Sequence, residues 1–99
     1  MQLNRIEKMF EDKAIIRGGI FLLDAHDSLE FIEECMRQNI GIFGVDGFFL
    51  FEGKIQPSLE HSIDFTVKKT TNAENGNYEQ AKQLITKHET MYFEIVVDC

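Results

Sequence analysis

The hydrophobic residues of this chain fall into short blocks whose internal spacing changes along its length, and the spacing predicts the elements. Leu3, Ile6, Met9 and Phe10 recur at helical intervals with Arg5, Glu7, Lys8 and Glu11 between them, the stripe of an amphipathic helix that ends before Gly18-Gly19. Ile20–Leu23 is a continuous apolar run preceded by glycine and followed by Asp24-Ala-His-Asp27, which suits a buried strand that can begin as early as Ala14. Asp27 reads as the N-cap of the next helix with Glu30 three residues on, and Leu29, Ile32, Cys35 and Met36 form its buried face with Phe31 beside them. Glu30, Glu33 and Glu34 are left facing outward. Because Ile40–Val45 follows at once as a second apolar segment, residues 20–45 have the layout of two parallel strands joined by a crossover helix.

Beyond Val45 the pattern becomes antiparallel. Asp46-Gly47 between two apolar runs is a favoured two-residue turn, so Phe48–Phe51 is expected to pair back or bend away, and Glu52-Gly53 makes a second break. Ile63, Phe65 and Val67 alternate with Ser62, Asp64 and Thr66, the signature of a strand with one buried and one wet face. A polar turn over residues 70–77, containing Asn75-Gly76, precedes a helix from Tyr78 to His88 with Ala81, Leu84 and Ile85 inward. Met91, Phe93, Ile95 and Val97 then alternate as the final strand. The sum is a single α+β domain, 1–99, with a mixed sheet of four or five strands against about three helices.

Length and composition are consistent with that outline. A chain of 99 residues can bury one sufficient core without staples, and no apolar run approaches the roughly 20 residues of a membrane helix. The first ten residues are amphipathic and unlike a signal peptide, so a cytoplasmic protein is expected. Cys35 and Cys99 lack CxxC spacing and are expected to be free thiols. Charge adds more. Residues 21–64 hold Asp24, Asp27, Glu30, Glu33, Glu34, Asp46, Glu52, Glu60 and Asp64 against only Arg37 and Lys54, so the whole net charge of −7 lies there. A field of one sign repels nucleic acid and membrane surfaces and speeds encounter with basic partners.

Candidate chemistry is sparse. Asp24, His26 and Asp27 lie at a strand-to-helix junction, where an imidazole between carboxylates could act as a base or metal ligand, but three or four converging ligands are needed and no companion cluster is identifiable. An N-cap and a loop histidine explain the same residues. Glu60, His61 and Asp64 would gather on one side only if helical, whereas an alternating strand separates them. Gly41, Gly44, Gly47 and Gly53 match no phosphate-loop pattern, and Ser28, Ser58 and Ser62 lack a nucleophile-elbow context. Neither a catalytic residue, nor a cofactor, nor a metal is expected. A ring of Phe48–Phe51 exposed at the Asp46-Gly47 turn and rimmed by Asp46 and Glu52 would make an aromatic anchor for a protein.

Gly41-Ile-Phe-Gly-Val-Asp-Gly-Phe48 and Ile55-Gln-Pro-Ser-Leu-Glu-His-Ser-Ile-Asp-Phe65 are the segments through which the chain resembles the small acidic immunity-protein families of bacterial polymorphic toxin and contact-dependent inhibition systems. The resemblance runs from about Ile20 to Thr66. It implies a non-catalytic cytoplasmic protein that binds and blocks a cognate toxin domain, often a nuclease. A basic, concave active site can be occupied by a carboxylate-rich surface, and Glu30, Glu33, Glu34, Asp46, Phe48, Glu52 and Asp64 are the expected toxin-facing residues. Two alternatives stay open. One is a small enzyme or ligand- or metal-binding domain using Asp24–Asp27 and Glu60–Asp64; the other is an adaptor whose partner pairs with Phe48–Phe51 as a sheet edge.

Overall fold

A computed structural model describes residues 2–66 and 77–99. The first helix, α1 (Arg5–Met9), is short and fully capped: Asn4 accepts from the Glu7 amide while the Glu7 carboxylate accepts from the Asn4 amide, a reciprocal capping box. A 3-10 turn, Glu11–Lys13, leads into β1 (Ile15–Arg17) and β2 (Ile20–Asp24). Gly18 and Gly19, with φ of +57° and +80°, form the two-residue turn between them. The apolar run at Ile20 is therefore half of a hairpin, and Ile15–Arg17 is a strand of its own.

Helix α2 (Ala25–Gln38) begins three residues earlier than its acidic signature suggests. Asp24 is the cap, accepting from the Asp27 amide at 2.8 Å, so Asp27 occupies the first turn. The buried face is correspondingly rotated to Ala25, Ser28, Phe31, Ile32 and Cys35, leaving Met36 exposed. Asn39 ends the helix in the left-handed conformation at φ +58°, which Asn tolerates better than most residues.

Strands β3 (Ile42–Phe51) and β4 (Lys54–Asp64) form a long hairpin whose turn is Glu52-Gly53, both with positive φ. Asp46-Gly47 is no turn but lies inside β3. Helix α3 (Tyr78–Lys87) packs beside α2, and β5 (Tyr92–Val97) completes a five-stranded sheet of order β1-β2-β5-β3-β4. Every pairing is antiparallel. The α+β class and single domain hold, but the mixed sheet does not. β2 and β3 do run in the same direction around α2, yet β5 inserts between them and pairs with both. The polar turn expected over residues 70–77 lies almost wholly outside the described residues, as does Val67.

Both helices cover one face of the sheet. Phe21, Leu23, Ile42, Val45, Phe93 and Ile95 point from the strands into a core shared with Ile6, Phe10, Phe31, Ile32, Ala81 and Ile85. Burying each such large side chain contributes about 1.5–3 kcal/mol, so this layer supplies the main driving force. Ile42 and Val45 can both face the helices because Phe43 is an extra residue against β5: Ile42 pairs with Val97 while Gly44 pairs with Val96. Two polar side chains close the seam. Asn77 Nδ2 donates to the Ile42 carbonyl at 2.9 Å and the Tyr78 hydroxyl to Ile40 at 2.8 Å.

Candidate functional site

Neither α2 nor α3 packs on the opposite face of the sheet. Pleating puts Gly44, Asp46 and Phe48 of β3 on that side, beside Val96, Glu94 and Tyr92 of β5, with Leu22 of β2 and Pro57 of β4 in the same layer. Leu22 and Phe48 are nonetheless buried, at 0% and 5% exposure. Arg17 Nε donates to the Gly53 carbonyl at 3.4 Å, so the tip of the β3–β4 hairpin reaches the strand at the other edge of the sheet.

A second irregularity shapes the β4 side. Gly47 pairs with Ser58 and Val45 with Ile63, so Leu59–Ser62 stand opposite the single residue Asp46. Side chains hold this excursion in place: the Gly47 amide donates to Ser62 Oγ at 3.1 Å, Ser62 Oγ donates to the Ser58 carbonyl at 2.7 Å, and Ser58 Oγ meets His61 Nδ1 at 2.7 Å. The His61 ring sits edge-to-face between Phe49 and His88, with centroids 5.9 and 4.2 Å away. His61 is thus half-buried in a structural stack, and Leu59 is thrust out to 91% exposure.

Below the excursion lies a recess of about 280 Å³ lined by Phe43, Gly44, Asp46, Ile63, Asp64, Thr66 and Val96. Asp46 and Asp64 bring their carboxyls to it from neighbouring strands, and Glu94 stands next to Asp46 as its β5 pairing partner. Burial raises the Asp46 carboxyl above its ordinary range, and the charge of Asp64 adds to the effect. Burial likewise raises Glu94, helped by the charges of Asp46 and of Glu7 in α1 and partly offset by a hydrogen bond from the Phe21 backbone. Asp64 accepts from the amide and hydroxyl of Thr66 at 2.9 and 2.5 Å, which fixes its carboxylate at the rim. Among the described residues, neither Asp46 nor Glu94 has an ion-pair partner.

The acidic helix is arranged differently. Glu30 takes Lys13 at 3.2 Å and His26 at 3.1 Å, Glu33 takes Lys82 at 2.9 Å, and Glu34 is held by Arg37 and by Gln38 Nε2 at 2.7 Å. All three expected carboxylates of α2 are therefore engaged within the chain, on the layer that covers the far side of the sheet from Asp46. Of the seven expected partner-facing residues, Asp46 and Asp64 meet at the recess, while Glu30, Glu33 and Glu34 sit together on α2. Phe48 is buried and cannot be an anchor, and Glu52 sits alone in the hairpin turn. The exposed rings are instead Phe43, Phe49 and Phe51. Glu94 was missed because an acidic residue alternating with Phe93 and Ile95 reads as ordinary strand surface.

His26, Asp27 and Glu30 present ligand atoms within 4.8 Å of one another. Glu30 is already claimed there by Lys13, and Asp24 spends its carboxylate on the helix cap. Asp24–Asp27 span the end of β2 and the first turn of α2, Glu60–Asp64 lie on β4, and β5 and β3 separate β2 from β4 in the sheet, so the two segments do not converge into one site. β5 flanks β3 only as far as Phe48, so Phe49–Phe51 pair with β4 alone. No helix among the described residues is long and apolar enough to cross a membrane. No family model matches the chain, and no curated protein matches it.

Proposed function

We propose that the protein is a non-catalytic immunity protein that binds and neutralises a toxin domain of basic surface, with the Asp46–Asp64 recess as the centre of contact. The observation that carries this reading is the pairing of two convergent carboxylates with exposed apolar walls, Phe43 and Val96, on the sheet face turned away from α2 and α3. A lysine or arginine side chain suits such a place: its stem packs on the apolar walls while its charge meets Asp46 and Asp64. The net charge of −7 supplies long-range attraction toward the same partner. Because the α2 carboxylates are already paired, they add to the field more than to the contact.

Tagging the chain in the bacterium that makes it and recovering a stoichiometric protein supplies the test. Expression of that protein alone should arrest growth, co-expression of this chain should restore it, and Asp46→Lys should abolish the rescue without lowering the melting temperature. Failure to recover a toxic partner, or rescue indifferent to Asp46→Lys, refutes the assignment of this face.

A further inference from the structure

We infer that the β3–β4 arm is a self-association surface on which a second copy of this chain docks face to face. Phe49, Phe51 and Leu59 on this arm are 42%, 63% and 91% exposed. Phe49 and Phe51 alone offer on the order of 200 Å² of aromatic surface. Phe49 and Phe51 share one side of the pleat with their partners Gln56 and Lys54.

Charge selects the occupant. With −7 on each chain, most approaches of two copies bring carboxylates together, but residues 47–59 hold only Glu52 and Lys54, one of each sign. A two-fold axis through the arm sets Glu52 of each copy against Lys54 of the other, so this stretch is complementary to itself. A basic partner finds no net attraction there. Edge-to-edge pairing through β4 is closed off by Pro57. The two-residue turn closes on the hydrogen-bonded pair Phe51–Lys54, so position 57 turns its backbone to the free edge, where proline has no N–H to offer. Packing through the face that carries Phe49 and Phe51 covers the exposed rings. The surface needs little ordering on association, because the Ser58, His61 and Ser62 network and the Phe49–His61–His88 stack already fix the base of the arm.

Sedimentation equilibrium of the intact chain between about 1 and 500 µM reads the test, a range suited to an interface below standard size. The wild type should shift from monomer toward twice the monomer mass. Phe51→Lys should weaken association at least about tenfold. Glu52→Lys and Lys54→Glu should each weaken it, the double exchange should recover it, and Met36→Lys on α2 should leave it unchanged. The turn variants lie in solvent and keep the test intact even if Phe51→Lys fails to fold. A wild type monomeric throughout, association indifferent to Phe51→Lys, or a double exchange that does not recover overturns the proposal. It uses neither Asp46 nor Asp64, so its failure leaves the toxin-binding reading standing.

Discussion

Replacing Gly47 with alanine should cost this fold far more than a single methyl group ordinarily does. A Cβ at position 47 would stand 2.4 Å from the His61 carbonyl oxygen, 3.0 Å from the His61 Cβ and 3.1 Å from the Met91 Cε. The methionine end can swing away, but the carbonyl belongs to the backbone of the Leu59–Ser62 excursion and moves only if that segment is unseated. Overpacking of this kind costs about 1–3 kcal/mol. Shifting the segment also stretches the Gly47–Ser62 and Ser62–Ser58 hydrogen bonds, each worth about 1 kcal/mol. The gain of up to about 1 kcal/mol from a stiffer unfolded chain offsets only part of this. A net loss of about 3 kcal/mol corresponds to a melting temperature lower by on the order of 15 °C for a domain of this size. Thermal unfolding followed by circular dichroism measures it, with Gly53→Ala as the comparison. Gly53 has open space around it but φ of +74°, so its variant should lose only about 1–2 kcal/mol. A Gly47→Ala protein melting within about 2 °C of the wild type, or less perturbed than Gly53→Ala, refutes the close approach of β4 to β3.

Other expectations follow from the same contacts. Asp24→Ala removes the α2 cap and should lower stability by about 1 kcal/mol in urea unfolding, whereas Asp27→Ala, inside the first turn, should cost less. Asp46 and Glu94 have folded-state carboxyl pKa values raised by burial, so the protons they hold favour the folded state at low pH and that contribution is lost as pH rises through the raised values. Asp46→Asn should therefore raise the melting temperature at neutral pH and flatten its change as pH falls from neutral into the carboxylate range; a variant with the wild-type profile contradicts the crowding of carboxyls at the recess. Burial pushes the Cys35 thiol up to about 12, so a thiol-specific reagent at mild pH should titrate Cys99 alone in the native protein and both cysteines after denaturation.

Element types were legible where a single periodicity governed a whole segment. The final strand reads correctly from Met91, Phe93, Ile95 and Val97 because nothing interrupts its alternation, and Tyr78–Lys87 reads correctly from Ala81 and Ile85. Reading failed where a backbone irregularity changed the period. The extra residue Phe43 lets Ile42 and Val45 face the same core, a spacing that looks helical or continuous in the sequence. Asp46-Gly47 has the composition of a hairpin turn, but its glycine serves close packing against His61, while the actual turn places a glutamate at φ +54°. Asp24 and Asp27 both precede the helical stripe, and only geometry decides which one caps. For the candidate site, the acidic character was visible and its distribution was not. Glu30, Glu33 and Glu34 form a patch in the sequence, yet their partners Lys13 and Lys82 lie on other elements that only the tertiary fold brings near. Asp46, Asp64 and Glu94 are scattered along the chain and meet through strand register, a relation between distant segments.

The insertion of β5 between β2 and β3 bears on how the molecule comes into being. The β1–β2 and β3–β4 hairpins can each form from neighbouring residues, but nothing joins them into one sheet until a strand some seventy positions downstream of β2 arrives. A fragment ending before Tyr92 would hold two unjoined hairpins and a helix with half its floor missing. Closing that long loop is the entropically demanding step, so folding should be slow for a domain of this size and completed from its last strand inward. Both the core beneath α2 and the carboxylate recess share β5 as a wall, and neither exists before that strand is in place.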